Sequence, residues 1–330
     1  MPSIDVVVPN YNYGRYLRAC VTSILSQEGV TVRVLIIDNA STDDSADIAL
    51  SIAKEDDRVE LVLRTDNLGS HKSFNEGIDW AKGDYFLLLC SDDFLLPGAL
   101  RRATEIMERN KSIAFCYGRD VPVSGNAAIP RIAPQPCPAP FRLTGGRAFI
   151  AGFCCMGVFQ IPGPSIVVRT SVQKRVGHYR DSLPHSDDYE VWLRLAMHGP
   201  VAGLRTLQAG VRSHENNRSR EFAAHQIQHI LHSAAAAESF FDHEGGSLKG
   251  SASLRRLARH GIASRAYWCG MSHLMRRNPR ARDLFRLAFS IAPLMAVIPP
   301  IGYLLSRPDS LSRIRSLLPE RPRPTGRRLS

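Results

Sequence analysis

The 330-residue chain has no two cysteines at C-x-x-C spacing. Its seven cysteines (Cys20, Cys90, Cys116, Cys137, Cys154, Cys155 and Cys269) are odd in number and scattered, which argues against a zinc or dithiol-redox motif. Most sit in apolar runs and read as buried thiols of a reducing cytoplasm. No basic, apolar leader opens the chain: a strand-like run starts at Ile4, so no signal peptide is expected. There are no internal repeats.

Acidic residues are scarce at one end only. From Gly245 onward, one lysine and sixteen arginines face Asp283, Asp309 and Glu320, a net +14, so the preceding residues carry −3 of the overall +11. The basic character belongs to the tail and says little about the front of the chain. The tail has no aromatic stacking platform or recognisable motif, so nucleic acid is not expected as a partner. Residues 287–305 carry no charge at all. That length is at the threshold for a membrane span. However, Pro293, Pro299 and Pro300 interrupt it, and arginines flank it as far as Arg286 and from Arg307. An interfacial or re-entrant segment on an anionic cytoplasmic leaflet fits these features better than a straight span. A helical appendage packed on the front domain remains the alternative.

What is present up to about Phe115 is alternation. The pattern predicts strands over Ile4–Pro9, Val32–Ile37, Val59–Leu63 and Tyr85–Leu89, and helices over Arg15–Gln27, Ser45–Lys54, Ser73–Ala81 and Gly98–Arg109. Such βαβ order predicts an α/β fold with a mostly parallel sheet covered on both faces. The prolines from Pro122 to Pro140 then break the rhythm, and residues 120–145 read as a long loop over the site. Regularity returns at Ser165–Val168, with a helix near Asp188–His198 and short strands to Val211. After about Ser219 the chain is expected to be helical, with an unstructured end from Pro319. The expected domains are 1–220 and a basic helical region 221–330.

Ligands in open α/β sheets gather at the carboxyl ends of strands. Four such ends carry polar clusters here. Pro9-Asn10-Tyr11-Asn12 closes the first strand, where a nucleotide could rest on backbone groups and the Tyr11 ring; a plain turn is the alternative. Asp38-Asn39-Ala40-Ser41-Thr42-Asp43 closes the second, where Asp38 or Asn39 could pair with a pyrimidine imide edge and Ser41 could cap a helix. Asn67-Leu68-Gly69 leads to Lys72 at a helix start, suited to a phosphate or simply to water. The apolar run Tyr85–Leu89 ends in Cys90-Ser91-Asp92-Asp93. Two carboxylates there offer hard oxygen ligands to Mg²⁺ or Mn²⁺, or else one caps the next helix.

These segments occur in order with Leu25-Ser26-Gln27, Asn75-Glu76-Gly77, Pro164–Arg169, Val176-Gly177-His178-Tyr179 and Asp187–Arg194. Together they resemble the family 2 glycosyltransferases, over roughly residues 3–220. Each motif is weak alone; the ordered set is specific. The resemblance implies a GT-A (Rossmann-like) fold with a helical C-terminal extension. It implies an inverting transfer of a hexosyl or deoxyhexosyl group from a nucleoside-diphosphate sugar to a sugar or lipid-linked acceptor hydroxyl, in assembly of surface polysaccharide or glycolipid. It places the base on Pro9, Asn10, Tyr11, Asp38 and Asn39, a divalent cation on Asp92, and His214 near the metal and diphosphate. The strand-end reading adds Asn67, Lys72 and Ser91, with Asp92, to the donor contacts, and Asp93 to the metal site. The resemblance makes Asp188 the catalytic base, although the residues alone also allow a helix N-terminal acid there. The expected location is cytoplasmic, peripheral on the inner face of the cell membrane.

Two departures stand out. Cys90 replaces the first aspartate that many members have in the metal motif, and Asn39 replaces a base-reading aspartate. Cys90 is the best support for an alternative, a GT-A protein that binds nucleotide sugar without turnover. A sugar-phosphate nucleotidyltransferase is a further alternative, but it needs a glycine-rich triphosphate loop, and Pro9–Tyr13 is not one.

Overall fold

The structure is a computed structural model that describes residues 1–125, 127–159, 161–183, 185–215, 217 and 226–305. The expected domain boundary at 220/221 and the tail end from Pro319 lie outside the described residues.

The first half alternates as its apolar spacing requires. Strands β1 (Ser3–Asn10), β2 (Thr31–Asp38), β3 (Val59–Leu63) and β4 (Tyr85–Leu88) alternate with helices α1 (Gly14–Leu25), α2 (Ser45–Glu55) and α3 (Ser70–Trp80); β5 (Phe94–Leu95) and α4 (Ala99–Arg109) follow. Successive strand residues face opposite sides of a sheet, and β1 shows it: Val7 enters one core with Phe74, Ile78 and Phe86, whereas Ile4, Val6 and Val8 enter the other with Leu17, Ile24 and Leu100. The sheet is therefore covered on both faces. Asp5 on β1 is almost wholly buried and accepts from Arg33 Nε and Nη2 (2.9 and 2.7 Å) and from the Gly83 amide (2.7 Å), tying the start of β1 to β2 and β4.

The chain continues through β6 (Phe115–Ser124), β7 (Phe141–Thr144), α5 (Gly146–Met156), β8 (Val167–Arg169), α6 (Thr170–Val176), α7 (Asp187–Ala196) and β9 (Val201–Ser213). The sheet order is β3-β2-β1-β4-β8-β6-β9-β5, with β7 paired to β9. The β3-β2-β1-β4 half is parallel and β6 also runs parallel to β9, while the β4–β8, β6–β8, β5–β9 and β7–β9 ladders are antiparallel.

Segment 120–145 differs from its expectation as an unbroken loop over the site. Strand β6 runs on to Ser124, with Pro122 opposite Val211 of β9. Proline fits because β8 pairs with β6 only at Phe115 and Cys116, which leaves the far part of β6 with an edge where no amide hydrogen is needed. The irregular part packs on the back of the sheet instead: Gln135 Oε1 accepts from the Leu207 amide (3.1 Å) and the Cys137 thiol donates to Glu105 (2.8 Å). The expected short strands before Val211 are the single strand β9, and helices α5 and α6 were not foreseen.

Helices α8 (Gln226–Asp242), α9 (Ser251–Met275), α10 (Ala281–Ile291) and α11 (Ile301–Leu305) complete the described chain. Their Ile230, Phe240, Ile262, Ala266, Leu284 and Ala288 belong to the same buried cluster as Val7, Phe153 and Trp192. Contact between α9 and α5 is close enough to demand glycine: a Cβ on Gly261 would lie 2.2 Å from the Cys154 carbonyl oxygen. Tyr303 Oη donates to the Met156 carbonyl (3.1 Å), so α11 docks on the same helix.

Candidate active site

One cleft of about 1040 Å³ opens at the carboxyl ends of the parallel strands and reaches to helix α8. Pro9, Asn10 and Tyr11 line it after β1, Asn39 after β2, Asn67 to His71 at the start of α3, and Cys90 to Asp93 after β4. Its opposite wall holds Gly163, Asp187, Asp188, Tyr189 and Trp192, then His229, His232 and Ser233. None of its lining residues comes from segment 120–145.

A hydrogen-bond lattice fixes the first two strand ends. Asp38 accepts from Asn10 Nδ2 (2.7 Å), Ser41 Oγ (2.6 Å) and the Ser41 amide (3.0 Å). Ala40 between them takes a left-handed conformation (φ 62°), which costs a residue with a Cβ and is held by this turn. Asp38 thus sits behind the cleft wall and orients Asn10. Asn39 donates to Asn67 Oδ1 (2.5 Å), and its own Oδ1 accepts from Arg64 Nη1 (2.9 Å) and the Leu68 amide (3.0 Å). Arginine has only donors, so Arg64 sets the orientation of the Asn39 amide. Arg64 is in turn paired with Glu76. Gly69, at φ 82°, turns the chain into α3.

Lys72 is not at the cleft. It is exposed and borders a separate cavity of about 490 Å³ with Leu68, Asn75, Glu76, Asp79, His178 and Asp181. It lies one residue past His71 in the first turn of α3, and that step carries its side chain to the outer face of the helix.

Around the end of β4, Asp92 and Asp93 are buried side by side. Asp92 Oδ2 meets His214 Nε2 at 3.2 Å and accepts from Asn217 Nδ2 at 3.0 Å. Asp93 Oδ1 accepts from the Arg212 amide (3.0 Å). Burial raises the pKa of both carboxyls, and the charge of Asp92 helps push Asp93 well above its ordinary value. His214 does not line the cleft; it lies behind Asp92, stacked on Tyr16 (5.2 Å between centroids) and edge-on to Tyr13 (5.0 Å). Burial, with Asp92 next, raises the Tyr13 hydroxyl to about 12. The Cys90 side chain is open to the cleft yet deep within it, and its thiol is pushed well above its ordinary value by that depth and then by Asp92, Asp93 and Asp188.

Among the described residues, no group of three or more His, Cys, Asp or Glu side chains could hold a metal ion unaided. The chemistry of the β4 end nevertheless suits one. Two carboxylates share a desolvated corner, with hard oxygens turned to a cleft where a cation would offset their repulsion. The buried Ser91 Oγ, Asn10 Oδ1 and His214 Nδ1 have no hydrogen-bond partner, so polar capacity remains on this side of the cleft.

Across the cleft, α7 begins with Asp187 and Asp188. His71 Nε2 meets Asp187 Oδ2 at 2.9 Å. Asp188 faces the cleft beside Gly163, where a Cβ would lie 4.0 Å from its Oδ2. Glu190 in the same turn is fully buried and held by Arg194 (Nε to Oε1 and Oε2, both 2.9 Å) and by Arg180, so Arg194 braces a carboxylate.

Thus Pro9, Asn10, Tyr11, Asn39, Asn67, Ser91, Asp92, Asp93 and Asp188 share one cleft, Asp38 and His214 stand behind it, and Lys72 is elsewhere. The sequence reading missed Tyr13, Arg64, His71, His229 and His232. A polar residue just past a strand end was a usable signal for Arg64; the histidines had none. Residues 5–161 match the family model described as glycosyl transferase family 2. Over those residues, just under half of the chain, the protein is similar to glycosyl transferase family 2.

Relatives agree over the same part. A 122-residue stretch is 34% identical to an uncharacterized glycosyltransferase of Haemophilus influenzae, covering 35% of this chain and 49% of that one. A 119-residue stretch is 31% identical to the GalNAc(5)-diNAcBac-PP-undecaprenol beta-1,3-glucosyltransferase of Campylobacter jejuni, covering 36% and 38%. The chain thus spans half or less of the length of these curated relatives. Among solved structures, S. aureus TarS 1–349 in complex with UDP aligns over 96% of this chain and 90% of its own (TM-score 0.59, 15% identity). Mannosyltransferase PcManGT from Pyrobaculum calidifontis, in complex with GDP-Man and Mn²⁺, aligns over 96% and 80% (TM-score 0.57, 13% identity). The family 2 domain and the helices after it therefore share the GT-A fold of these glycosyltransferases.

Proposed function

We propose that the protein is an inverting glycosyltransferase that moves a hexosyl or deoxyhexosyl group from a nucleoside-diphosphate sugar to an acceptor hydroxyl. One observation carries the reading. A single cleft sets the Asp92–Asp93 corner against Asp188, close enough that all three charges bear on the Cys90 thiol between them.

The residues divide the work. Pro9, Asn10, Tyr11, Asn39 and Asn67 form the base-binding end, with Tyr11 half-exposed at the rim as a ring platform and Asp38 holding Asn10. Asp92, with Asp93, would hold Mg²⁺ or Mn²⁺, oriented by His214 and Asn217. When bound, the cation supplies Lewis-acid stabilisation of the departing diphosphate charge. Ser91 Oγ adds a buried hydroxyl at the phosphate end. Asp188 takes the proton of the acceptor hydroxyl as it attacks the anomeric carbon. A lone base with no carboxylate nucleophile beside it fits single displacement with inversion, whereas a retaining site sets two carboxyl groups on one glycosidic bond. Of the two adjacent aspartates, the family resemblance favours Asp188 as the base; Asp187 pairs with His71.

The acceptor we propose is a sugar or lipid-linked glycan in surface polysaccharide or glycolipid assembly, met at the cytoplasmic face of the membrane. Support comes from the end of the described chain. Leu294, Val297, Ile298, Ile301 and Leu305 are 60–82% exposed and follow the exposed Arg276, Arg277, Arg280, Arg282 and Arg286 in sequence. Exposed apolar side chains that follow a run of exposed arginines suit an anionic bilayer surface. Among the described residues no helix is long and apolar enough to cross a membrane.

A thermal-shift screen with UDP-, dTDP- and GDP-sugars plus Mn²⁺ tests the reading, because a ligand that binds only the folded state raises its apparent stability. At least one sugar nucleotide should raise the melting temperature and release its nucleoside diphosphate on incubation. No shift with any of them would remove the reading.

A further inference from the structure

Beyond Asp188 the cleft is walled by the C-terminal helices. His229, His232 and Ser233 of α8 line it there together with Trp192, the His185 ring packs on His232 (4.9 Å between centroids) and the Tyr189 ring lies 6.1 Å from His229. A second helix fixes the first of these side chains. Arg265 on α9 donates from Nη2 to His229 Nδ1 (3.1 Å) and from Nη1 to Ser233 Oγ (3.2 Å) and the Gly157 carbonyl (3.1 Å). A guanidinium has no lone pair to offer. Nδ1 of His229 must therefore carry its own lone pair, which makes the ring neutral and puts its hydrogen on Nε2. Burial, with Arg265 next, depresses this histidine to about 4, and burial lowers His232 as well.

Charge at this end points the same way. Among the described lining residues Arg212 is the single arginine or lysine. It stands at the Asp93 end, where Nη1 donates to the Gly125 and Ala127 carbonyls and the guanidinium lies over the Tyr16 and Phe94 rings. The acids of the far wall, Asp181, Asp187 and Asp188, would repel an anion.

We infer that the α8 end of the cleft is the acceptor subsite and that it takes an uncharged, hydroxyl-bearing glycosyl group, with His229 as a specificity residue presenting a fixed Nε2–H donor. Arg265 is a positioning residue: it holds the tautomer and does not meet the acceptor. Tyr189 and Trp192 add ring surface against which the apolar face of a sugar can lie. Any phosphate of a lipid-linked acceptor then lies outside this subsite. The inference rests on the glycosyltransferase reading and deepens it.

Saturation-transfer NMR on the full chain with UDP and Mn²⁺ tests it, using octyl β-glucoside, octyl β-galactoside, octyl N-acetyl-β-glucosaminide and octyl phosphate as probes. At least one glycoside should receive saturation at its sugar-ring protons, and octyl phosphate should receive none at this site. His229→Ala should weaken that glycoside about tenfold, the scale of one lost hydrogen bond, and His229→Gln, which keeps a donor, should restore most of it. Arg265→Met should change the His229 ring ¹⁵N pattern away from the Nε2–H tautomer and weaken the glycoside, while Arg265→Lys retains both. Nucleotide-induced thermal shifts must persist in every variant, which shows that each is folded. Binding of octyl phosphate in place of the glycosides, no glycoside binding, or glycoside binding unchanged in His229→Ala overturns the subsite. Absence of any nucleotide shift in the unsubstituted protein instead overturns the parent reading.

Discussion

His71 Nε2 meets Asp187 Oδ2 at 2.9 Å, joining the first turn of α3 to the first residue of α7 across the cleft. The two residues are 116 apart in sequence, and their contact ties Asp187 to the opposite side of the cleft. The neighbouring Asp188 carboxylate lies beside Gly163.

The pair of aspartates gives the first test. Asp188→Asn should lower transfer by about 10²–10⁴-fold, the range of a lost general base, and leave the nucleotide-induced thermal shift in place. Asp187→Asn should cost far less, since an amide can still accept from His71. Steady-state rates for the two variants side by side check the assignment; equal losses would sink it.

Asp93 makes a prediction of opposite sign for stability. Its carboxyl pKa is raised in the folded protein by burial and by Asp92. A folded state that holds a proton more tightly than the unfolded chain loses stability as pH rises from the unfolded value through the folded one. Asp93→Asn removes that loss while its Oδ1 can still accept from the Arg212 amide. Above that window the metal-free variant should melt a few degrees higher than the parent, on the scale of ~1 kcal/mol for a chain of this size. The gain should vanish in acid, and Mn²⁺ should stabilise the variant less than the parent. Melting curves across a pH series, with and without Mn²⁺, read all three.

Close packing at Gly261 yields a third. Gly261→Ala sets a methyl against the Cys154 carbonyl and should destabilise the chain by about 1–3 kcal/mol, the usual cost of overpacking. The neighbouring Arg265 moves with α9, so acceptor affinity should fall more than nucleotide affinity. Urea titration measures the stability loss, and nucleotide calorimetry beside glycoside saturation transfer measures the split.

At the membrane, replacing Val297, Ile298 and Ile301 by aspartate should abolish sedimentation with vesicles of anionic lipid and leave nucleotide binding unchanged. The parent should sediment with anionic vesicles and much less with neutral ones, and salt should release it. Equal recovery of parent and variant in the pellet would remove the membrane contact.

What could be seen in the sequence was what local chemistry encodes. Strands β1 to β4 show because each is a short apolar run, and Asn10, Asn39, Asn67 and Asp92 show because each lies within four residues of the end of such a run. The proline segment misled because Pro122 breaks a strand only where its missing amide hydrogen is needed, and the free edge of β6 is set by β8, some forty residues later. His229 was hidden for a different reason. A histidine in an alanine-rich helix has no local signature, and its meaning comes from Arg265 on another helix. Lys72 lies one helical step from the cleft lining, in an adjoining cavity, and a loop-level reading does not resolve that step.

The family match ends at residue 161, but the wall that faces the strand ends across the cleft is lined by residues from Gly163 to Ser233. The inherited part and the distinctive part of this protein therefore meet along the floor of a single groove. On the proposed reading, relatedness measured on the first part would follow the nucleotide sugar that is bound. Two such proteins could be close kin by that measure and still act on unlike acceptors. A chimera that joins the front of one relative to the helices of another, cut between α5 and β8, should exchange the product while keeping the feedstock.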